Sequence, residues 1–75
     1  MSAADDFRVL AVLAPGGTLT VDQLARAADL TTKKARDAVA ALHLKGLVTS
    51  NTSARWSITD IGQRAWTSKG QRNVP

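Results

Sequence analysis

The 75-residue chain has no cysteine, no glutamate and one histidine, His43. Without cysteine there can be no disulfide, no thiolate nucleophile and no Cys-ligated zinc. A lone histidine also excludes a multi-histidine metal centre. Hydrolytic chemistry needs a nucleophile, a base and an orienting group held in one pocket. Here His43 has no acidic neighbour, and Asp5, Asp6, Asp22, Asp29, Asp37 and Asp60 are scattered without paired-carboxylate spacing. Gly16-Gly17 is not followed by the Lys-Ser/Thr of a phosphate-binding loop. The expectation is a protein that is not an enzyme and carries neither metal nor cofactor. No apolar run approaches the roughly 20 residues that span a bilayer. The N-terminal Met1-Ser2-Ala3-Ala4-Asp5-Asp6 bears acids where a secretory leader bears bases, which predicts a cytoplasmic protein.

What the chain does have is positive charge, unevenly placed. Ten Lys and Arg face six acids, for a net charge of +4. Within residues 30–58 lie Lys33, Lys34, Arg36, Lys45 and Arg55, opposed only by Asp37. A basic balance draws polyanions, and its concentration in one window marks a candidate surface. The length allows one small hydrophobic core and no second. A domain of that size is often marginally stable alone, so self-association or a place in a larger assembly is expected.

The apolar pattern divides the chain into short elements. A first helix is expected over about residues 4–13, with Asp5 and Asp6 suiting its positive end. Its inner face would be Phe7, Leu10 and Ala11. Pro15-Gly16-Gly17 stops it, and Thr18-Leu19-Thr20 is extended enough for a single strand pairing. Thr20-Val21-Asp22-Gln23 fits a capping box and opens a second helix that buries Leu24, Ala25 and Ala28. Thr31 or Thr32 caps a third helix to about Lys45, with Ala35, Val39 and Leu42 inward and Gly46 placed to end it. Leu47–Ser50 and Arg55–Ile58 then flank the polar Asn51-Thr52-Ser53-Ala54 as a β-hairpin. Thr59 or Asp60 caps a last helix through about Ser68, with Ile61 and Ala65 inward. The predicted domain is residues 1–68, followed by a flexible basic tail over 69–75. No internal repeat or interdomain linker is visible.

Leu24-Ala25-Arg26-Ala27-Ala28-Asp29-Leu30-Thr31-Thr32 resembles the helix-turn-helix of winged-helix transcriptional regulators such as the MarR and ArsR groups. Leu42-His43-Leu44-Lys45-Gly46-Leu47-Val48 matches the end of their third helix, and Trp56-Ser57-Ile58-Thr59-Asp60-Ile61-Gly62 resembles their wing exit, with Ile58 in place of leucine. The resemblance covers about residues 5–66. Two departures stand out: Asp29 occupies the usual turn glycine, and Leu44 stands where a charged residue is usual. The chain also has no room for a ligand-sensing domain or a long dimerisation helix, so no small-molecule ligand is expected.

The resemblance implies a mainly helical α+β fold: a winged helix-turn-helix with a three-helix core, a two- to three-stranded wing and a C-terminal helix. It further implies that the third helix enters the major groove of duplex DNA. Thr31, Thr32, Lys33, Lys34, Arg36 and Asp37 would then face the groove or its phosphate walls, and Arg55 at the wing would reach the backbone or minor groove. Arg36 suits guanine because a guanidinium bonds it in two places. Asp37 would accept from cytosine, orient Arg36, or be an ordinary surface residue. Trp56 is expected in the core. Leu44 and Trp66 fall off the apolar stripes of their helices and form a candidate association surface for a homodimer or a protein partner. Two rival functions share this fold: a protein-interaction module inside a larger assembly, and a non-specific nucleic-acid binder.

Overall fold

Four α-helices and one antiparallel hairpin make up residues 3–70, the part of the chain that the computed structural model describes. The order is α1 (Ala3–Leu13), α2 (Val21–Ala28), α3 (Thr32–Leu44), β1 (Val48–Ser50), β2 (Trp56–Ile58) and α4 (Asp60–Ala65). A π-helical turn, Trp66–Gly70, continues α4. The strands pair Val48 with Ile58 and Ser50 with Trp56. Leu19 adds a one-residue third rung, exchanging backbone hydrogen bonds of 3.0 and 2.7 Å with Trp56.

Local chemistry sets the ends of each helix. The Thr20 side chain accepts from Gln23 N while the Gln23 side chain accepts from Thr20 N, a complete capping box at the start of α2. Asp29 ends α2 in the left-handed conformation, φ 59°, and Leu30 N reaches back to Ala25 O at 2.8 Å. This is the six-to-one bond of a Schellman turn, made here without glycine. Only two residues, Leu30 and Thr31, separate the left-handed Asp29 from α3. Gly46, φ 76°, plays the same part after α3, with Leu47 N on Leu42 O at 2.9 Å.

The core joins Val9, Leu10 and Leu13 of α1 to Leu24 and Ala28 of α2, to Ala38, Val39 and Leu42 of α3, and to Val48 of the hairpin. Trp56 packs against it, as expected. On α1 the inner face differs from the expected Phe7–Leu10–Ala11. Val9 and Leu13 are fully buried beside Leu10, whereas Phe7 is 44% exposed and Ala11 is half-buried. Turning the helix this way buries Val9 and Leu13 completely in place of Phe7 and Ala11, and Phe7 still shelters part of its ring outside the core. Phe7 lies on the Trp66 ring instead, centroids 5.0 Å apart.

On α4 the expected inward Ile61 is 58% exposed, and Gly62 is the residue that faces the interior. A Cβ at position 62 would collide with the Leu47 carbonyl oxygen and stand 2.7 Å from Ile58 Cγ1. The hairpin and α4 approach too closely there for any side chain. Ala65, the other expected inward residue, is half-buried. The α-helix also stops at Ala65, short of the expected Ser68. Of the tail expected over 69–75, Lys69 and Gly70 belong to the π-helical turn, and residues 71–75 lie outside the described residues.

Candidate nucleic-acid interface

The third helix carries a buried stripe and an exposed one. Ala35, Ala38, Val39 and Leu42 are buried. Thr32, Lys33, Lys34, Arg36, Asp37, Ala40, His43 and Leu44 are exposed. Thr31 sits before the helix as its N-cap, φ −72° and ψ 159°, and its hydroxyl oxygen accepts from Lys34 N at 3.1 Å. The first amide N–H groups of a helix have no intrahelical acceptor, so those of Thr32 and Lys33 point out of its end.

The charges at that end are unusual for this chain. The first turns of α1, α2 and α4 carry Asp5 and Asp6, Asp22 and Asp60, as the helix dipole favours. The first turn of α3 has no acid and bears Lys33 and Lys34. The capping frame makes the same contrast. At α2 it reads Thr20 then Gln23, and at α3 it reads Thr31 then Lys34, with a cation where the reciprocal acceptor belongs.

Asp37 pairs with Lys33: Nζ donates to Oδ2 at 3.3 Å, one turn along the exposed face. The alternative that Asp37 orients Arg36 is thus not the arrangement seen. Among the described residues, the side chains of Lys34, Arg36 and Arg55 make no hydrogen bond or ion pair within the chain.

The wing tip is held by one side chain. Asn51 Oδ1 accepts from Ser53 N at 2.9 Å and from Arg55 N at 3.1 Å, while Asn51 N donates to Arg55 O at 3.0 Å. Ala54 closes the turn in the left-handed region, φ 58°. Arg55 is therefore presented from a fixed backbone. A cleft of about 560 Å³ runs between α3 and the wing, bordered by Arg36, Ala40, His43 and Leu44 on one side and Ala54 and Trp56 on the other. The His43 ring meets the Trp56 ring edge-on, centroids 5.4 Å apart, which fixes the wing to the outer flank of α3. Sequence reasoning missed Ala40 and His43 as members of this surface. Their signal was the spacing from Arg36, i+4 to Ala40 and i+7 to His43.

Of the two residues expected to form an association surface, Leu44 is 89% exposed on this cleft. Trp66 is half-buried against α1 and lines two other depressions. One of these, of about 230 Å³, is bounded by Asp6, Phe7, Leu10, Leu42, Lys45 and Trp66. Leu44 and Trp66 therefore border separate clefts. No helix among the described residues is long and apolar enough to cross a membrane.

No protein-family profile matches the sequence, and no curated protein does. Solved structures do match. The chain superposes on a MarR family transcriptional regulator, SPO1453 from Silicibacter pomeroyi DSS-3, with TM-score 0.79 and 26% identity over 87% of this chain and 48% of that one. It superposes equally on ligand-free NadR, with TM-score 0.77 and 24% identity over 89% of this chain and 51% of that one. The chain spans about half the length of these structures. Its fold is a MarR-like winged helix, the fold of a DNA-binding transcription regulator.

Proposed function

We propose that this protein is a duplex-DNA-binding transcriptional regulator that inserts α3 into the major groove and sets its wing on the backbone or minor groove. The observation that carries this reading is the N-terminus of α3. It is the one α-helix start in the described chain with two lysines and no acid, and its dipole and free N–H groups favour a negative partner. A DNA phosphate supplies that partner. Thr31, Thr32, Lys34 and Arg55 are assigned to phosphate contact, and Lys33, Arg36 and Asp37 to base edges or the groove wall. Regulation then needs no catalysis by this chain. We further assign it a cytoplasmic site of action, on the nucleoid if the source is bacterial or phage, and a homodimeric state.

The rival reading as a protein-interaction module draws on Leu44, which a solvated DNA interface does not explain. Salt separates the readings. Binding through phosphates releases counterions and weakens steeply as salt rises, with a slope of about 0.9 per phosphate contacted. An apolar protein contact hardly responds.

The test is selection from a pool of random duplexes over a salt series, with wild type and a Lys33/Lys34/Arg36→Ala triple variant. A defined enriched sequence, with a salt slope that the triple variant lowers by at least about 0.9 for the Lys34 phosphate contact, is the expected result. Enrichment of no sequence despite a steep slope points to non-specific nucleic-acid binding. Failure to bind at low salt, or binding untouched by the triple variant, rejects the assignment.

A further inference from the structure

Resting on that DNA-reading role, we infer that Lys33 and Asp37 form a single two-headed reader that selects a guanine, and after it a thymine, on the strand facing Lys33. The two side chains stand one turn apart on a stripe that continues through Ala40 and Leu44, on the far side of α3 from its buried residues. The pair spans 3.3 Å, and the side chains are 82% and 48% exposed. It presents a donor directly beside an acceptor. The ammonium has two N–H groups left after bonding Asp37, and the carboxylate keeps Oδ1 free.

A G·C pair offers the complement in the major groove. Guanine shows the acceptors N7 and O6, and cytosine shows its N4 amino donor. O6 and N4 bond each other across the pair, so they lie about 2.9 Å apart. That is close to the separation of the Lys33 and Asp37 heads. With Lys33 over guanine, the ammonium serves N7 and O6 while the Asp37 carboxylate accepts from N4, giving three contacts.

The other three pairs rank below it. A T·A pair, thymine under Lys33, keeps O4 for the ammonium and the adenine N6 amino group for Asp37. It loses the third contact, because the thymine methyl occupies the space that N7 would serve. In A·T and C·G the amino and carbonyl groups are exchanged, so the carboxylate meets a carbonyl acceptor and the ammonium meets an amino donor, with adenine N7 the one contact left to it in A·T. The expected order is G·C, then T·A, then A·T, with C·G last.

Asp37 thereby gives the helix something that three free cations would lack. A carboxylate in the groove repels phosphate and stays unsatisfied over the wrong base pair, so it lowers binding to unrelated DNA. Arg36 lies to one side of this stripe, on the cleft toward the wing, and reads or braces independently of the pair.

The experiment takes the duplex enriched from the random pool and places each of the four base pairs at every position in turn. Wild type, Asp37→Ala, Lys33→Ala and the double variant are titrated at one salt concentration, with helicity checked by circular dichroism. At one position wild type is expected to prefer G·C over A·T and C·G by about tenfold or more, with T·A between. Replacing that guanine by 7-deazaguanine, which lacks N7, should lower its affinity toward that of T·A. Either single variant should level the position to within about twofold, and the double variant should level it no further, as expected of coupled residues. Asp37→Ala should also bind a scrambled duplex more tightly than wild type does. An unchanged base order in Asp37→Ala, or levelling by Lys33→Ala alone, overturns the paired reader while leaving α3 as the DNA-binding helix. Absence of any DNA binding by wild type overturns both.

Discussion

Ile61 and Gly62 are neighbours on α4 with opposite environments, and apolar spacing alone points to the wrong one. A glycine adds nothing to a hydrophobic pattern, so its burial is invisible until the Leu47 carbonyl is seen crossing the helix at that point. Gly62→Ala should therefore destabilise the fold by about 1–3 kcal/mol, as overpacking does, because the obstruction includes backbone that cannot turn aside. Ile61→Ser, at a position 58% exposed, should stay within about 0.5 kcal/mol of wild type. Urea midpoints measured side by side decide the matter, and a larger loss at Ile61 would restore the pattern-based assignment. Asp29 gives the contrasting case, where residue chemistry was legible. Aspartate tolerates the left-handed turn that its place between α2 and α3 demands. Asp29→Val should cost about 1–2 kcal/mol at that position, whereas Asp29→Gly should not lower the thermal midpoint.

At the scale of elements the sequence was most legible where helix ends are written in capping residues. Thr20 with Gln23, Thr31, Thr59 and Gly46 all stand at the boundaries that their chemistry predicts. The last turns were harder: α4 changes to a π-helical turn at Trp66, and the residues there carry no marker of the change. Of the candidate interface, the cationic start of α3 was legible, but the Lys33–Asp37 pairing and the single-asparagine wing turn were not. Those depend on which rotamer and which backbone N–H is reached, and spacing leaves several options. Thr59 joins two elements at once, since its hydroxyl donates to Gly46 O at 2.7 Å and accepts from Gly62 N at 3.0 Å. Thr59→Ala should cost the cap, about 1 kcal/mol, and also strand the Gly46 carbonyl, so it should exceed Thr20→Ala in a denaturation series. The third helix makes the converse prediction. Lys34→Gln would complete the capping box that Thr31 begins and remove a cation from the positive end of the dipole. It should raise stability by about 0.5–1 kcal/mol while lowering the salt slope of DNA binding by about 0.9. Equal stability with unchanged DNA binding would mean that the lysine is an ordinary surface residue.

For the whole molecule the question is which face remains for a second copy once α3 is committed to DNA. Leu44 shares its stripe with Lys33, Asp37 and Ala40, so a dimer closed through Leu44 would cover the proposed reading surface. The Phe7–Trp66 stack borders other depressions, lined by residues of α1, α4 and the π-helical turn and, in one of them, by Lys45, Leu47 and, from the buried stripe of α3, Leu42. A two-fold dimer places the same patch against itself, and only this second patch leaves both copies of α3 free to meet DNA half-sites. A contact of Leu44 in one copy with Trp66 in the next would be head-to-tail and would grow into open chains. Sedimentation velocity should therefore find a dimer of the 7.9 kDa chain that Phe7→Asp dissociates and Leu44→Asp leaves intact. Phe7 is the residue to change because it is 44% exposed and outside the buried cluster, whereas Trp66 also packs on the core. Dissociation by Leu44→Asp instead would put self-association and DNA on one face, so that the two compete and added DNA should shift the protein toward monomer.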